Sequence, residues 1–278
     1  NGATGAYIND LVQPGAGGLL TPRGLAFGPD GNLYVADAGT SEDVGAVRVF
    51  QGPGGTSPGA HVEDIVGLDR PTSVAFEPPA TPVGKIGDAK SKNLGDLLSL
   101  TDKVVTAVFV DEGVKSFYIE EDDRSSGIKV YPNGDPTVLP GDRVSVVGTL
   151  YEDANGELCL NGASVNVTAN GQTVPSPLGQ NNKALLEGLD NTGLLVKCWG
   201  SVKRIEPPYF WIDDGTNYSE SELSGPGVRV MGTCPVSLPG GYVQVTGIHS
   251  KLNVGGNPVP LLRMRSPADA AQVDQPES

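Results

Sequence analysis

Short apolar runs broken by Gly, Pro, Asp and Asn fill the first 80 residues. Leu25-Ala26-Phe27 and Leu33-Tyr34-Val35-Ala36 flank Gly28-Pro29-Asp30-Gly31-Asn32, which predicts a β-hairpin closed by a glycine-containing turn. The pattern continues and predicts strands over 6–12, 22–28, 32–37, 45–50, 60–66 and 72–77. Internal similarity supports this reading, because "PRGLAF" at 22–27 returns as "PTSVAF" at 71–76, and "GAYINDLV" at 5–12 returns as "GAHVEDIV" at 59–66.

A second repeat occupies 95–268. "KVVTAVF" (103–109) is matched with "LVKCWGSV" (195–202), and "SFYIEEDD" (116–123) with "YFWIDDG" (209–215). "GIKV" (127–130) then answers to "GVRV" (227–230), and "LPGDRVSVVGTL" (139–150) to "LPGGYVQVTGIH" (238–249). With "ELCLNGASVNVT" (157–168) and "PLLRMRSPADA" (260–270) as closing strands, each unit predicts about five strands. Between them, "NKALLEGL" (182–189) is the best short helix in the chain. The connector 78–100 has too few apolar residues for one. The expectation is an all-β chain: a four-stranded antiparallel sheet at 1–80, five-stranded barrels at 84–175 and 185–272, and a polar tail at 273–278.

The hairpin at 19–39, with its Pro22, Phe27, Pro29 and Asp37, resembles one blade of an NHL-type or gluconolactonase-like β-propeller. Propellers close with roughly four to eight blades, and one blade cannot make the central metal channel that the enzymatic resemblance implies. Asp30, Asn32 and Asp37 therefore lack companions from other blades, and the enzymatic implication fails. The order of the second repeat resembles the OB-fold. It has an aromatic strand ending in an acidic turn, then a Gly-Ile-Lys-Val or Gly-Val-Arg-Val strand, then "PGD-x-V-x-V-x-G". Similar tandem units occur in large secreted bacterial surface proteins and beside extracellular nuclease domains.

Composition narrows the function. A formal charge of −14 disfavours nucleic acid as a partner, because phosphate backbones are repelled. The chain opens at Asn1, read as a processed N-terminus of an extracellular or cell-surface protein. Three cysteines cannot all pair. Two readings stand: a Cys198–Cys234 disulfide, or three buried thiols including Cys159. The two histidines, His61 and His249, form no metal or catalytic motif.

Two residue sets carry candidate chemistry. Glu120, Asp122 and Asp123 in one acidic turn, beside Glu121, and Asp213 and Asp214 in the other, are candidate oxygen ligands for Ca2+. Their recurrence at the same place in both repeats favours a solvated structural turn over metal binding. Tyr118, Tyr209 and Trp211 are candidate stacking residues for sugars or bases, although strand alternation places part of this set inside. No resident cofactor is implied.

The sequence favours a non-enzymatic structural subunit that assembles with other copies by strand addition into a filament or surface layer. Tyr7, Ile8, Leu11 and Val12 on the first strand, and Val74, Ala75 and Phe76 on the last, would form the contact. The alternative is a binding module in which tandem OB-like barrels grip an oligosaccharide or a single-stranded nucleic acid.

Overall fold

A computed structural model describes residues 9–40, 45–76, 79–185, 190–216 and 227–273. The chain divides into two compact units, Asn1–Pro79 and Ala80–Ser278. All but a few short helical turns of the regular structure is β.

The first unit is an antiparallel meander of β1 (Pro22–Phe27), β2 (Leu33–Asp37), β3 (Ala46–Phe50) and β4 (His61–Ile65), paired in that order. The β1–β2 turn forms because Gly31 takes a left-handed conformation (φ 80°) that a side chain would disfavour. The Asp30 carboxylate accepts from the Asn32 N–H (3.1 Å) and the Tyr34 hydroxyl (3.1 Å). Leu33, Val35 and Phe50 form the core of one face. Asp37 is fully buried. It accepts from the Thr21 N–H (2.6 Å) and the Leu20 N–H (3.1 Å), and pairs with Arg48 (2.7 Å).

Of the strands predicted at either end, the described parts 9–12 and 72–76 join no ladder. Tyr7 and Ile8 lie outside the described residues. Leu11 and Val12 belong to no strand and instead pack, half-buried, against the core of this sheet. Val74, Ala75 and Phe76 join no ladder, and Phe76 sets its ring edge-on against Tyr34 at 4.8 Å. The unit is a four-stranded antiparallel sheet.

The second unit opens with β5 (Thr81–Val83) and a five-residue helix α1 (Ile86–Lys90). A first barrel follows: β6 (Leu97–Asp111), β7 (Val114–Glu120), β8 (Gly127–Pro132), β9 (Arg143–Glu152) and β10 (Leu158–Ala169). After the two-residue β11 (Leu178–Gly179) and a 3-10 turn at Lys183–Leu185 comes the second: β12 (Leu195–Glu206), β13 (Tyr209–Asp213), β14 (Val228–Met231), β15 (Tyr242–Val254) and β16 (Asn257–Arg263). A last strand, β17 (Ala270–Gln272), pairs with β15. The helix predicted at 182–189 is the 3-10 turn as far as the described residues go, since 186–189 lie outside them.

Both barrels have one topology. Strands run β6-β7-β8-β10-β9 and back to β6, then β12-β13-β14-β16-β15 and back to β12. In each five the third and fifth strands pair in parallel. This is the Greek-key barrel of the OB type. Strand alternation fills the interiors, with Leu98, Phe117, Ile119, Val130 and Leu160 in the first, and Val196, Phe210, Ile212, Val230 and Leu262 in the second.

One register differs from the sequence match. Val105 bonds Asp142 and Gly141 through its backbone, and Val202 bonds Gly241 and Gly240 in the same way. Val105 therefore corresponds to Val202, so the match of 103–109 with 195–202 is out of register. The long strand β6 starts earlier than predicted, at Leu97.

The barrels dock through a small apolar cluster of Ala107, Phe109 and Tyr118 from the first with Leu195 and Ile248 from the second. Polar contacts surround it. Arg263 grips the Asp111 carboxylate with two contacts (2.5 and 2.6 Å) while stacking on Phe109 at 3.7 Å. Lys90 reaches Asp190 (3.0 Å), Lys251 reaches the Gly156 carbonyl (3.0 Å), and Asn253 donates its N–H to Asn155 (3.1 Å).

Candidate ligand-binding face

The middle strand of each barrel carries corresponding aromatic residues, and the two meet different fates. On the first barrel, register places Ala107, Tyr118 and Lys129 side by side across β6, β7 and β8. On the second it places Arg204, Trp211 and Arg229 across β12, β13 and β14. The first row is covered by the second barrel. The Tyr118 hydroxyl donates to Glu157 (3.1 Å) and meets the Ser250 hydroxyl (3.1 Å). Lys129 donates to Glu157 (3.0 Å) and Asp153 (2.9 Å), and Ser250 donates to Glu157 (2.7 Å). Burial would raise the Asp153 carboxyl, but the hydrogen bond and charge of Lys129, together with the Glu157 and Asn155 N–H groups, outweigh it and hold Asp153 below its ordinary range. Tyr118 is fully buried and already bonded, so it is not a stacking residue. This corrects its assignment.

The second row lies on the outer surface of its barrel. Trp211 is only 3 % exposed because two guanidiniums cap its ring, Arg204 at 4.9 Å and Arg229 at 5.0 Å from the centroid. It supports cations and offers no open face for stacking, which corrects its assignment too. Tyr209, one alternation away on β13, is half-buried, with Arg229 at 5.2 Å. Its row continues across β14 to Met231 and then β16 to Arg263.

Tyr209 also enters a groove of about 560 Å3 between the barrels. Met231, Leu252, Leu261 and Arg263 line it from the second barrel, and Val110, Glu112 and Asn155 from the first. That volume falls within the roughly 300–1,000 Å3 of small-ligand sites. Sequence reasoning noted Arg204 and Arg229 only as basic residues flanking the aromatic strand, and it missed Arg263 and the groove. Two arginines beside an aromatic strand were the available signal, but their registration with Trp211 depends on a bulge between Val202 and Arg204.

The acidic turns do not gather into a metal site. The Glu120 carboxylate accepts the Leu195 N–H, and Glu121 takes the Ile86 N–H (2.7 Å) and Lys103 (2.9 Å). Asp122 pairs with Arg143 (2.7 Å), and Asp123 caps the Ser125 N–H (2.9 Å). Asp213 accepts the Gly215 N–H (3.1 Å) and pairs with Lys203 (3.5 Å), while Asp214 takes the Asn182 N–H (2.8 Å). Each carboxylate is committed to a different partner. Among the described residues no three His, Cys, Asp or Glu side chains are placed to hold a metal ion. Cys159, Cys198 and Cys234 are free thiols, so the Cys198–Cys234 pairing is not formed. Burial pushes the Cys198 thiol up to about 12.

No family model and no curated protein matches the chain. Solved structures do. A murine DNA-binding protein bound to double-stranded DNA is 10 % identical, with a TM-score of 0.32 over 64 % of this chain and 97 % of that one. The Ifi202 HINa domain in complex with 20-bp double-stranded DNA is 14 % identical, with a TM-score of 0.31 over 60 % and 91 %. The p204 HINb domain is 16 % identical, with a TM-score of 0.28 over 61 % and 92 %. Two of these are complexes with double-stranded DNA. They run against the expectation that nucleic acid is disfavoured and that further copies of this chain are the partner, and that expectation is withdrawn. At these TM-scores the likeness carries no argument about what this chain itself binds.

Proposed function

We propose that the chain is a non-catalytic binding module whose second barrel takes a single-stranded nucleic acid across β12, β13 and β14 and into the inter-barrel groove. The observation that carries this is the unequal fate of the two matched rows. The first barrel's Ala107-Tyr118-Lys129 row is consumed in docking, while Arg204-Trp211-Arg229 remains on an outer surface. Guanidiniums held in place by an indole suit phosphate oxygens, and Tyr209 above an apolar floor of Met231 and Leu261 suits a base. The chain carries a charge of −14, and a phosphate at this face competes with Glu206 for Arg204 and with Asp111 for Arg263.

The test is fluorescence anisotropy of a labelled oligothymidine with the full chain at about 50 mM salt, repeated up to about 200 mM. Binding should weaken with salt. Tyr209→Ala should weaken it about tenfold, in line with loss of one stacked base at roughly 1–3 kcal/mol. Arg204→Ala should reduce the salt slope by about 0.7. Absence of binding at low salt would refute the proposal. Salt-independent binding of neutral glycans would replace the nucleic acid by an oligosaccharide.

A further inference from the structure

The first unit takes no part in the face described above, yet it holds a hollow of its own, of about 460 Å3. That volume lies in the range of small-ligand sites. One wall is the β1–β2 turn, with Phe27, Asp30 and Asn32, and the other is the glycine-rich turn after β3, with Pro53 and Gly54. Each wall is held by its own hydrogen bonds. The Gly28 N–H reaches the Asn32 carbonyl (2.9 Å), and the Gly31 N–H reaches the Gly28 carbonyl (2.9 Å). Across from them, the Gly55 N–H reaches the Gly52 carbonyl (3.0 Å), and the Ser57 N–H donates to the Gln51 side chain (2.8 Å). The two turns meet backbone to backbone, since a Cβ on Gly52 would stand 1.7 Å from the Gly31 carbonyl oxygen. Gly54 differs. Its φ is outside the left-handed region, and a Cβ there would meet nothing within 4 Å. Neither strain nor crowding requires glycine at 54, and its effect is to leave the hollow open.

Phe27 lies opposite Leu33, so it shares the face of the Leu33, Val35 and Phe50 core. It stays outside that cluster and is 53 % exposed. A hydrogen-bonding pair stands in the same hollow. Asp30 Oδ2 accepts from Asn32 Nδ2 (2.7 Å) and the Tyr34 hydroxyl (3.1 Å), whereas Oδ1 accepts from the Asn32 N–H (3.1 Å). A carboxylate oxygen takes about two donors, so Oδ1 has room for another. Among the described residues the lining carries one carboxylate and no cation. Anions are therefore disfavoured, and a single carboxylate is too few oxygen ligands for Ca2+. An apolar surface, an open acceptor and a carboxamide that both donates and accepts suit a neutral ring with C–H bonds on its face and hydroxyls on its rim.

We propose that this hollow binds one neutral pyranose unit of a carbohydrate, with its C–H face against Phe27 and a hydroxyl donating to Asp30 Oδ1. The site belongs to the first unit and does not rest on the reading of the second barrel.

The test titrates the 15N-labelled full chain with the methyl glycosides of glucose, mannose, galactose and N-acetylglucosamine. It follows the backbone N–H signals of Gly31, Asn32, Gly54 and Gly55 and the Asn32 side-chain amide. At least one glycoside should move these signals and saturate with a Kd of about 1 mM, the scale that a ligand of this size reaches. Phe27→Ala should weaken the titration about tenfold. Gly54→Leu fills the hollow from a position with free space and should abolish it, with the remaining spectrum reporting the fold. Tyr209→Ala should leave it unchanged. No movement with any of these glycosides, or an unchanged titration in both Phe27→Ala and Gly54→Leu, would overturn the site. Tighter binding of inorganic phosphate or adenosine at the same signals would overturn its assignment to a sugar. Glycoside binding lost in Tyr209→Ala and kept in Gly54→Leu would place the sugar on the second barrel and likewise overturn the site.

Discussion

Replacing Lys129 by Met removes the cation at the centre of the docked barrels and leaves two carboxylates behind. Lys129, Asp153 and Glu157 have side chains 4 %, 8 % and 1 % exposed, so water cannot take over the lost contacts. The Tyr118 and Ser250 hydroxyls still donate to Glu157, but Asp153 loses its ion pair. Breaking a buried pair by deleting one partner costs about 3–5 kcal/mol. Methionine fills most of the aliphatic volume, so that cost is electrostatic and not a cavity. It should therefore depend on pH. In the native protein Lys129 holds Asp153 low against its burial. Without Lys129 that carboxyl moves upward, with the Asn155 and Glu157 N–H groups and the Tyr131 hydroxyl still opposing its burial. Its protonation in the folded variant then starts at a higher pH than in the native protein, so the loss shrinks as pH falls. Urea unfolding followed by indole fluorescence reads this directly, because both tryptophans belong to the second barrel. A loss of about 3–5 kcal/mol at pH 7.5 that shrinks at pH 5 is expected. A loss below about 1 kcal/mol at pH 7.5, or one unchanged by pH, would refute the reasoning.

Other perturbations probe neighbouring contacts. Burial raises the Glu120 carboxyl from 4.5 to about 7, against the Leu195 N–H that favours its ionised form. Folding should therefore weaken as pH climbs from 4.5 to 7, by up to about 3 kcal/mol, and Glu120→Gln should flatten that slope in urea midpoints. Gly127→Ala would drive a methyl group into the Gly193 backbone, which cannot step aside, and should cost about 1–3 kcal/mol in the same assay. Arg263→Met gives up both the Asp111 pair and the Phe109 stack, and should increase protease susceptibility between the barrels without unfolding either one.

The strand words of the repeat were legible because they are local. Phe117 and Ile119 alternate inward, as Phe210 and Ile212 do, and the Asp and Gly residues that end each strand set the turns. The helix Ile86–Lys90 escaped because five residues are too few to show a period. Tyr118 and Trp211 occupy one motif position, and nothing nearby distinguishes them. Their difference comes from Ile248 and Ser250, far along the chain, which cover one row and not the other. Glu157 was overlooked because its partners are distant along the chain: Tyr118 and Lys129 on its own barrel, and Ser250 on the second. The acidic turns suggested shared coordination, yet each carboxylate has a separate donor, two residues away for Asp123 and Asp213 and distant along the chain for Glu120, Glu121, Asp122 and Asp214.

Two similar barrels invite the thought of a divalent receptor. The covered row argues for a valence of one. If the second barrel's face is the contact surface, isotherms should saturate at one ligand per chain with a Hill coefficient of one, and the duplication contributes no avidity. Gains in affinity would then have to come from joining whole chains, since the first barrel serves as the mount on which the second is held.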